Sequence, residues 1–153
     1  MVDAGYARRL KLRREAASIS QRELSRLSGV KQPTIAAVES GTRLISDAAR
    51  TALEAALRVR PTRLLAARRD EVLAVLRAHR VTNPRLFGST AQGQDGPDSD
   101  VDLIVTFPPG SDIVDLLALE EELSGLLTVH VDVISAGSAG PVLDHAMRDS
   151  VPL

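Results

Sequence analysis

The chain has 153 residues, 44% hydrophobic but only 2% aromatic, so a core of Leu, Val, Ile and Ala is available, while stacking bases on aromatic platforms is not its natural way to hold single-stranded nucleic acid. It has no cysteine, which excludes disulfides and Cys-ligated zinc, and no apolar run approaches the roughly 20 residues of a membrane span. The net charge of −1 conceals an asymmetry: residues 1–69 carry fifteen Lys and Arg against six Asp and Glu, and residues 70–153 carry four Arg against fourteen acids. A basic half is drawn to phosphate backbones, whereas an acidic half repels them unless metal ions intervene. The start, MVDAGYARRLKLRREAAS, lacks a signal-type apolar run. The expected setting is a reducing cytoplasm, with no membrane.

Residues 7–18 (ARRLKLRREAAS) predict a first, basic helix. Ser20 and Glu23 then form a capping-box pattern, in which the hydroxyl accepts the Glu23 N–H and the Glu23 carboxylate reaches back. Leu24 and Leu27 lie three apart on one face, and Gly29 ends the helix. Lys31 or Gln32 caps a second short helix, with Pro33 in its first turn, Ile35 and Val38 facing inward, and Gly41 after its end. Ser46 is the expected cap of the next helix, which carries Ala49, Leu53 and Leu57 at helical spacing until Pro61 interrupts.

Two short helices around the turn at Gly29 make a helix-turn-helix pattern. The run SQRELSRLSGVKQPTIAAVESGTR, with Gln21, Gly29, Ile35, Val38 and Glu39-Ser40-Gly41 in order, resembles the Cro/C1-type (XRE-type) helix-turn-helix family over residues 7–65. The resemblance implies that the helix over residues 32–40 enters the major groove of double-stranded DNA. Lys31, Gln32 and Thr34 would then face bases or phosphates, Gln21 would touch the backbone, and a homodimer would read paired half-sites. Ala36 and Ala37 leave this helix few long base-reading side chains.

Residues 62–79 read as one continuous helix, with Leu64, Leu65, Val72, Val75, Leu76 and His79 along its apolar side. No Gly/Ser/Pro-rich linker separates the halves, so the expected join is tight. The sign of charge changes at Arg69, which places the expected domains at 1–69 and 70–153.

The second half alternates. A strand is predicted at Arg85-Leu86-Phe87, the turn Gly88-Ser89, a short helical stretch near Thr90–Gln92, and the loop GQDGPDS. A strand over 100–107, a helix over 112–126, a strand over 128–134 and a last helix over 141–148 follow. The order argues two small domains: an all-α helix-turn-helix bundle, then an α/β domain with a small mixed sheet.

Three places carry chemistry. Gly88 lets the backbone approach an anion closely, and the Ser89 hydroxyl and nearby N–H groups can bind phosphate oxygens. Asp100 and Asp102 open a strand at positions that project to one face, so their carboxylates converge while Val101 points to the core. Two such anions repel unless a hard cation lies between them, and Mg²⁺ accepts one or two carboxylates plus substrate phosphates. Asp132 is a lone carboxylate in the apolar strand Val131–Ile134, on the side opposite Val131 and Val133. Beside the Asp100/Asp102 strand it becomes a third metal-site oxygen or the base that deprotonates an attacking hydroxyl. Taken alone it can also be read as an ion-pair partner of an Arg such as Arg85.

The set GSTAQGQDGPDSDVDLIV, with ten residues between Ser89 and Asp100, together with HVDVI, resembles the minimal nucleotidyltransferases of the DNA polymerase β superfamily over residues 70–150. The resemblance implies catalytic and metal-binding Asp100, Asp102 and Asp132, nucleotide-binding Gly88 and Ser89, ATP as substrate, and two Mg²⁺ ions per site. It further implies AMP transfer to a hydroxyl, a tyrosine of a partner HEPN-type toxin, by an antitoxin that also regulates transcription, as a homodimer on DNA or a hetero-oligomer with the toxin. Relatives commonly carry Arg at the position of Gln92, and this chain lacks that cation. Two other readings stay open at this point: nucleotide addition to RNA such as tRNA ends, and a DNA-binding repressor with a catalytically silent nucleotide-binding domain.

Overall fold

Tyr6, Leu10, Leu24, Ile35, Val38, Leu53 and Leu57 close into one buried cluster, and thirteen residues from Leu65 to Val133 form another that shares no member with it. A computed structural model describes residues 3–153 and divides the chain accordingly, into a unit ending at Val59 and a unit of Arg60–Leu153.

The first unit has four helices: α1 (Ala4–Ala16), α2 (Gln21–Ser28), α3 (Gln32–Glu39) and α4 (Asp47–Ala56). Three start on side-chain caps. Asp3 accepts the Tyr6 N–H at 2.9 Å, Ser20 the Glu23 N–H at 3.1 Å, and Ser46 the Ala49 N–H at 3.3 Å. The capping box at α2 is only half made, because Arg26 takes the Glu23 carboxylate instead. Gly29 closes α2 in the left-handed region (φ 76°), which turns the chain into α3. Leu24 is buried, but Leu27, three residues on, is 49% exposed.

The second unit opens with α5 (Pro61–Ala67) and α6 (Arg69–Ala78), two helices where the apolar periodicity predicts one. The break falls at Arg68 (φ −119°, ψ 18°), which ends α5 and starts α6 without any Gly or Pro to mark it. Leu65 packs with Val72 and Leu76 in the second core, so the unit begins at Arg60, ahead of the charge reversal at Arg69. β1 (Thr82–Phe87), α7 (Gly88–Gln92), β2 (Val101–Thr106), α8 (Ile113–Leu127), β3 (Val131–Ser135), α9 (Pro141–Arg148) and β4 (Val151–Pro152) follow.

The four strands form one mixed sheet in the order β3-β2-β1-β4; β2 and β3 are parallel, and β1 runs antiparallel to β2 and β4. Val101, Leu103, Val105, Val131 and Val133 pack with Leu119, Leu123 and Leu127 of α8 on one side. Side chains alternate along a strand, so Asp102 and Asp132 project from the other side. The outer edge of β3 is protected by α8, whose Ser124 Oγ accepts the Val131 N–H (3.0 Å) and whose Glu120 carboxylate accepts the Val133 N–H (2.9 Å). That anchorage fixes the strand bearing Asp132. Among the described residues, no helix is long and apolar enough to cross a membrane.

Candidate active site and helix-turn-helix surface

Parallel pairing sets Asp102 opposite Asp132, with Val101 opposite Val131 and Leu103 opposite Val133. On the other flank of β2, Asp102 pairs with Phe87, the residue before Gly88. Gly88 has φ +69°, and a Cβ built there would stand 2.8 Å from Asp102 Oδ2. Both the backbone angle and the carboxylate therefore demand glycine. The bend, the second acid of Asp-x-Asp and the distal acid share one patch of the sheet.

Asp100 lies one residue before β2 and is exposed. Its charge is nonetheless felt at Asp102, whose carboxyl is pushed up from its ordinary value. Burial is the main cause, followed by the charges of Asp132 and Asp100, with His130 opposing them. His130 Nε2 lies 2.9 Å from Asp132 Oδ1, and both side chains are more than half exposed. Arg85 is not the partner of Asp132: its guanidinium bonds Ser150 Oγ (2.6 Å) and the Ser150 carbonyl (2.9 Å).

Among the described residues, no three His, Cys, Asp or Glu side chains close around a point tightly enough to enclose a metal ion by themselves. A Mg²⁺ ion does not require that, since it binds through one or two carboxylates plus substrate phosphates and water. The charges of Asp132 and Asp100, which add to burial in raising Asp102, are what such a cation relieves, so the residues present fit it.

The roles of three residues of this region are not visible in the sequence. Thr90, 4% exposed, donates from Oγ1 to the Asp100 carbonyl at 3.1 Å, joining the start of α7 to the strand entry. Ser99 Oγ accepts the Gly96 N–H at 2.9 Å. Asp95 is fully buried in the loop between them. Small polar residues in a Gly-rich loop look alike in sequence, and only the fold separates them. Beside Gly88, an apolar cleft of about 420 Å³ is lined by Phe87, Gln92, Pro141, Val142, His145, Ala146 and Asp149. Gln92 is thus at the site, but as a neutral amide.

In the first unit, Gln21 and Gln32 are linked. Gln32 Nε2 donates to Gln21 Oε1 (2.9 Å), and Gln21 Nε2 donates to Glu39 Oε2 (2.9 Å). Arg14 closes the network through Nε to Glu39 Oε1 (2.7 Å), Nη2 to Oε2 (3.0 Å) and Nη1 to the Ile19 carbonyl (2.9 Å). The Glu39 side chain is 4% exposed and that of Arg14 12%, so this is a largely shielded bidentate ion pair tying α1, α2 and α3 together. Lys31 is exposed at the N-terminal end of α3, and Thr34 is half-buried within it.

Strand order, Gly-Ser bend and paired acids define a nucleotidyltransferase fold preceded by a helix-turn-helix unit. The pattern of the nucleotidyltransferase domain family matches residues 70–148, over half of the chain, and that of the helix-turn-helix family matches residues 10–64. The chain belongs to the nucleotidyltransferase domain family. It is 33% identical over 82 residues (53% of this chain, 88% of the other) to a Methanocaldococcus jannaschii protein named as a protein adenylyltransferase. It is 32% identical over 77 residues (45% and 78%) to the protein adenylyltransferase MntA of Thermococcus cleftensis. Among solved structures, one described as a minimal nucleotidyltransferase superposes with a TM-score of 0.53 at 39% identity, covering 60% of this chain and 95% of that one. A crystallised toxin–antitoxin with AMP-PNP superposes with a TM-score of 0.50 at 26% identity, covering 54% and 69%.

Proposed function

We propose that the protein transfers AMP from ATP to a hydroxyl of a partner protein, a tyrosine of a HEPN-type toxin, and that its first unit binds double-stranded operator DNA. It is then an antitoxin that also regulates transcription. The observation that carries the catalytic part is the register of Asp102 against Asp132, with Gly88 pressed on Asp102. The acceptor and nucleotide are supported by similarity to two proteins named as protein adenylyltransferases and to a toxin–antitoxin holding an ATP analogue.

Asp100, Asp102 and Asp132 would hold Mg²⁺, two ions per site, which when bound supplies positive charge to the triphosphate and lowers the pKa of the acceptor hydroxyl. Gly88 admits the phosphate chain close to the backbone, and Ser89 hydrogen-bonds its β/γ end. The hydroxyl oxygen attacks the α-phosphorus, the α–β bridging P–O bond breaks, and pyrophosphate leaves. Asp132, exposed at the rim, receives the hydroxyl proton. The unit of Arg60–Leu153 has little beyond its sheet and helices to wall an acceptor pocket, which suits an acceptor that brings its own wall. Lys31 and Thr34 would meet DNA directly. Gln32 and Gln21 would do so from their shared network, which orders both side chains beforehand.

Incubation with [α-³²P]ATP and the protein encoded beside this one tests the acceptor. Label on a tyrosine of that protein is expected, with none from [γ-³²P]ATP. Label on added RNA instead would overturn the protein acceptor.

A further inference from the structure

We infer that Asp95 is a positioning residue for the transfer, clamping the chain between Ser89 and Asp100 to the start of α5 through Thr62; the inference rests on the reaction proposed above. Asp95 is fully buried. A carboxylate removed from water is costly unless its oxygens are hydrogen-bonded. Both are: Oδ2 accepts the Thr62 N–H at 2.8 Å, and Oδ1 accepts the Thr62 hydroxyl at 3.1 Å. Thr62 follows Pro61 in the first turn of α5, where backbone N–H groups have no helical acceptor. Each group satisfies what the other lacks.

Other bonds of the segment run within it or between its own ends. Gln94 N–H donates to the Ser89 carbonyl (2.9 Å), Ser99 N–H to the Gly96 carbonyl (3.1 Å), and Thr90 Oγ1 to the Asp100 carbonyl (3.1 Å). These bonds shape the loop without reaching α5. The Asp95–Thr62 pair spans 33 residues and fixes the segment to α5. The segment joins the residue placed at the phosphates to the first acid, so its freedom becomes uncertainty in the Ser89–Asp100 distance. Misplacement by about 1 Å at such a site costs roughly 10²-fold in rate.

The test compares the full-length wild type with Asp95→Ala, Asp95→Asn and Thr62→Val. Hydrogen exchange over residues 93–100 should accelerate in Asp95→Ala, with residues of β2 and α8 unchanged. The affinity for Mn²⁺ alone should fall several-fold. With ATP and acceptor, kcat should fall at least tenfold while KM for ATP stays within about threefold, because α7 and β1 still hold Ser89. Asp95→Asn keeps an oxygen for the Thr62 N–H and should recover most of the loss. Thr62→Val keeps the N–H and should fall between. Unchanged exchange in Asp95→Ala and Thr62→Val would overturn the clamp. Faster exchange with unaltered Mn²⁺ affinity and kcat would overturn its positioning role. A wild type that transfers nothing would fail the reaction instead, and the exchange and Mn²⁺ measurements would still decide the clamp.

Discussion

Asp102 on β2 and Asp132 on β3 are direct partners in parallel register, so two carboxylates stand side by side on the sheet face turned away from α8. In the metal-free protein that arrangement works against folding. The Asp102 carboxyl is raised from its ordinary value by burial and then by its acidic neighbours. A group raised on folding contributes its stability below its unfolded pKa and loses it as pH rises through the folded one. Asp102→Asn should therefore melt higher than wild type in EDTA at pH 7, with the gap closing as pH falls through the carboxylate range. Thermal melts across pH check this; a gap that does not change with pH would contradict it.

Gly88→Ala adds both backbone strain at φ +69° and a methyl 2.8 Å from Asp102 Oδ2. The expected cost is about 1–3 kcal/mol of stability, the range for a residue held in such a region. Mn²⁺ binding should weaken with it. Denaturant unfolding of the second unit and a metal titration measure the two effects.

Much of the first unit is legible in sequence because its signals are local. The Ser20 hydroxyl, the left-handed turn at Gly29 and the cap at Ser46 act within four residues of themselves. The alternation that sends Val101 inward and Asp102 outward is equally local. What escapes is what depends on partners distant in sequence. Asp95 reads as an ordinary loop acid until Thr62 is found against it, 33 residues away. Glu23 turns from its expected backbone target to Arg26. The break at Arg68 carries no breaker residue, and β4 is a two-residue strand containing a proline, too short for any periodicity.

The Arg14–Glu39 ion pair of the first unit gives a third prediction. Glu39→Ala takes the bidentate partner from the largely shielded Arg14 and removes the acceptor that holds Gln21. Breaking one side of such a pair costs about 3–5 kcal/mol. Tyr6, the chain's one tyrosine, is buried in that unit, and there is no tryptophan to mask its fluorescence. Urea unfolding followed through Tyr6 therefore reads the loss in this unit alone.

On DNA, Lys31→Ala should weaken binding about equally across sequences and lower the salt slope by about 1, the signature of one lost phosphate contact. Gln32→Ala should instead change which sequences are preferred, since an amide reads adenine. Titration of operator and unrelated duplexes at several salt concentrations separates the two.

The most direct test of the catalytic account is the rate of AMP transfer in Asp102→Asn, Asp132→Asn and the double variant. If the two acids serve one site, each single change should cost about 10³-fold, and the double should cost little more than either. An Asp132→Asn protein that transfers AMP at close to the wild-type rate would contradict it.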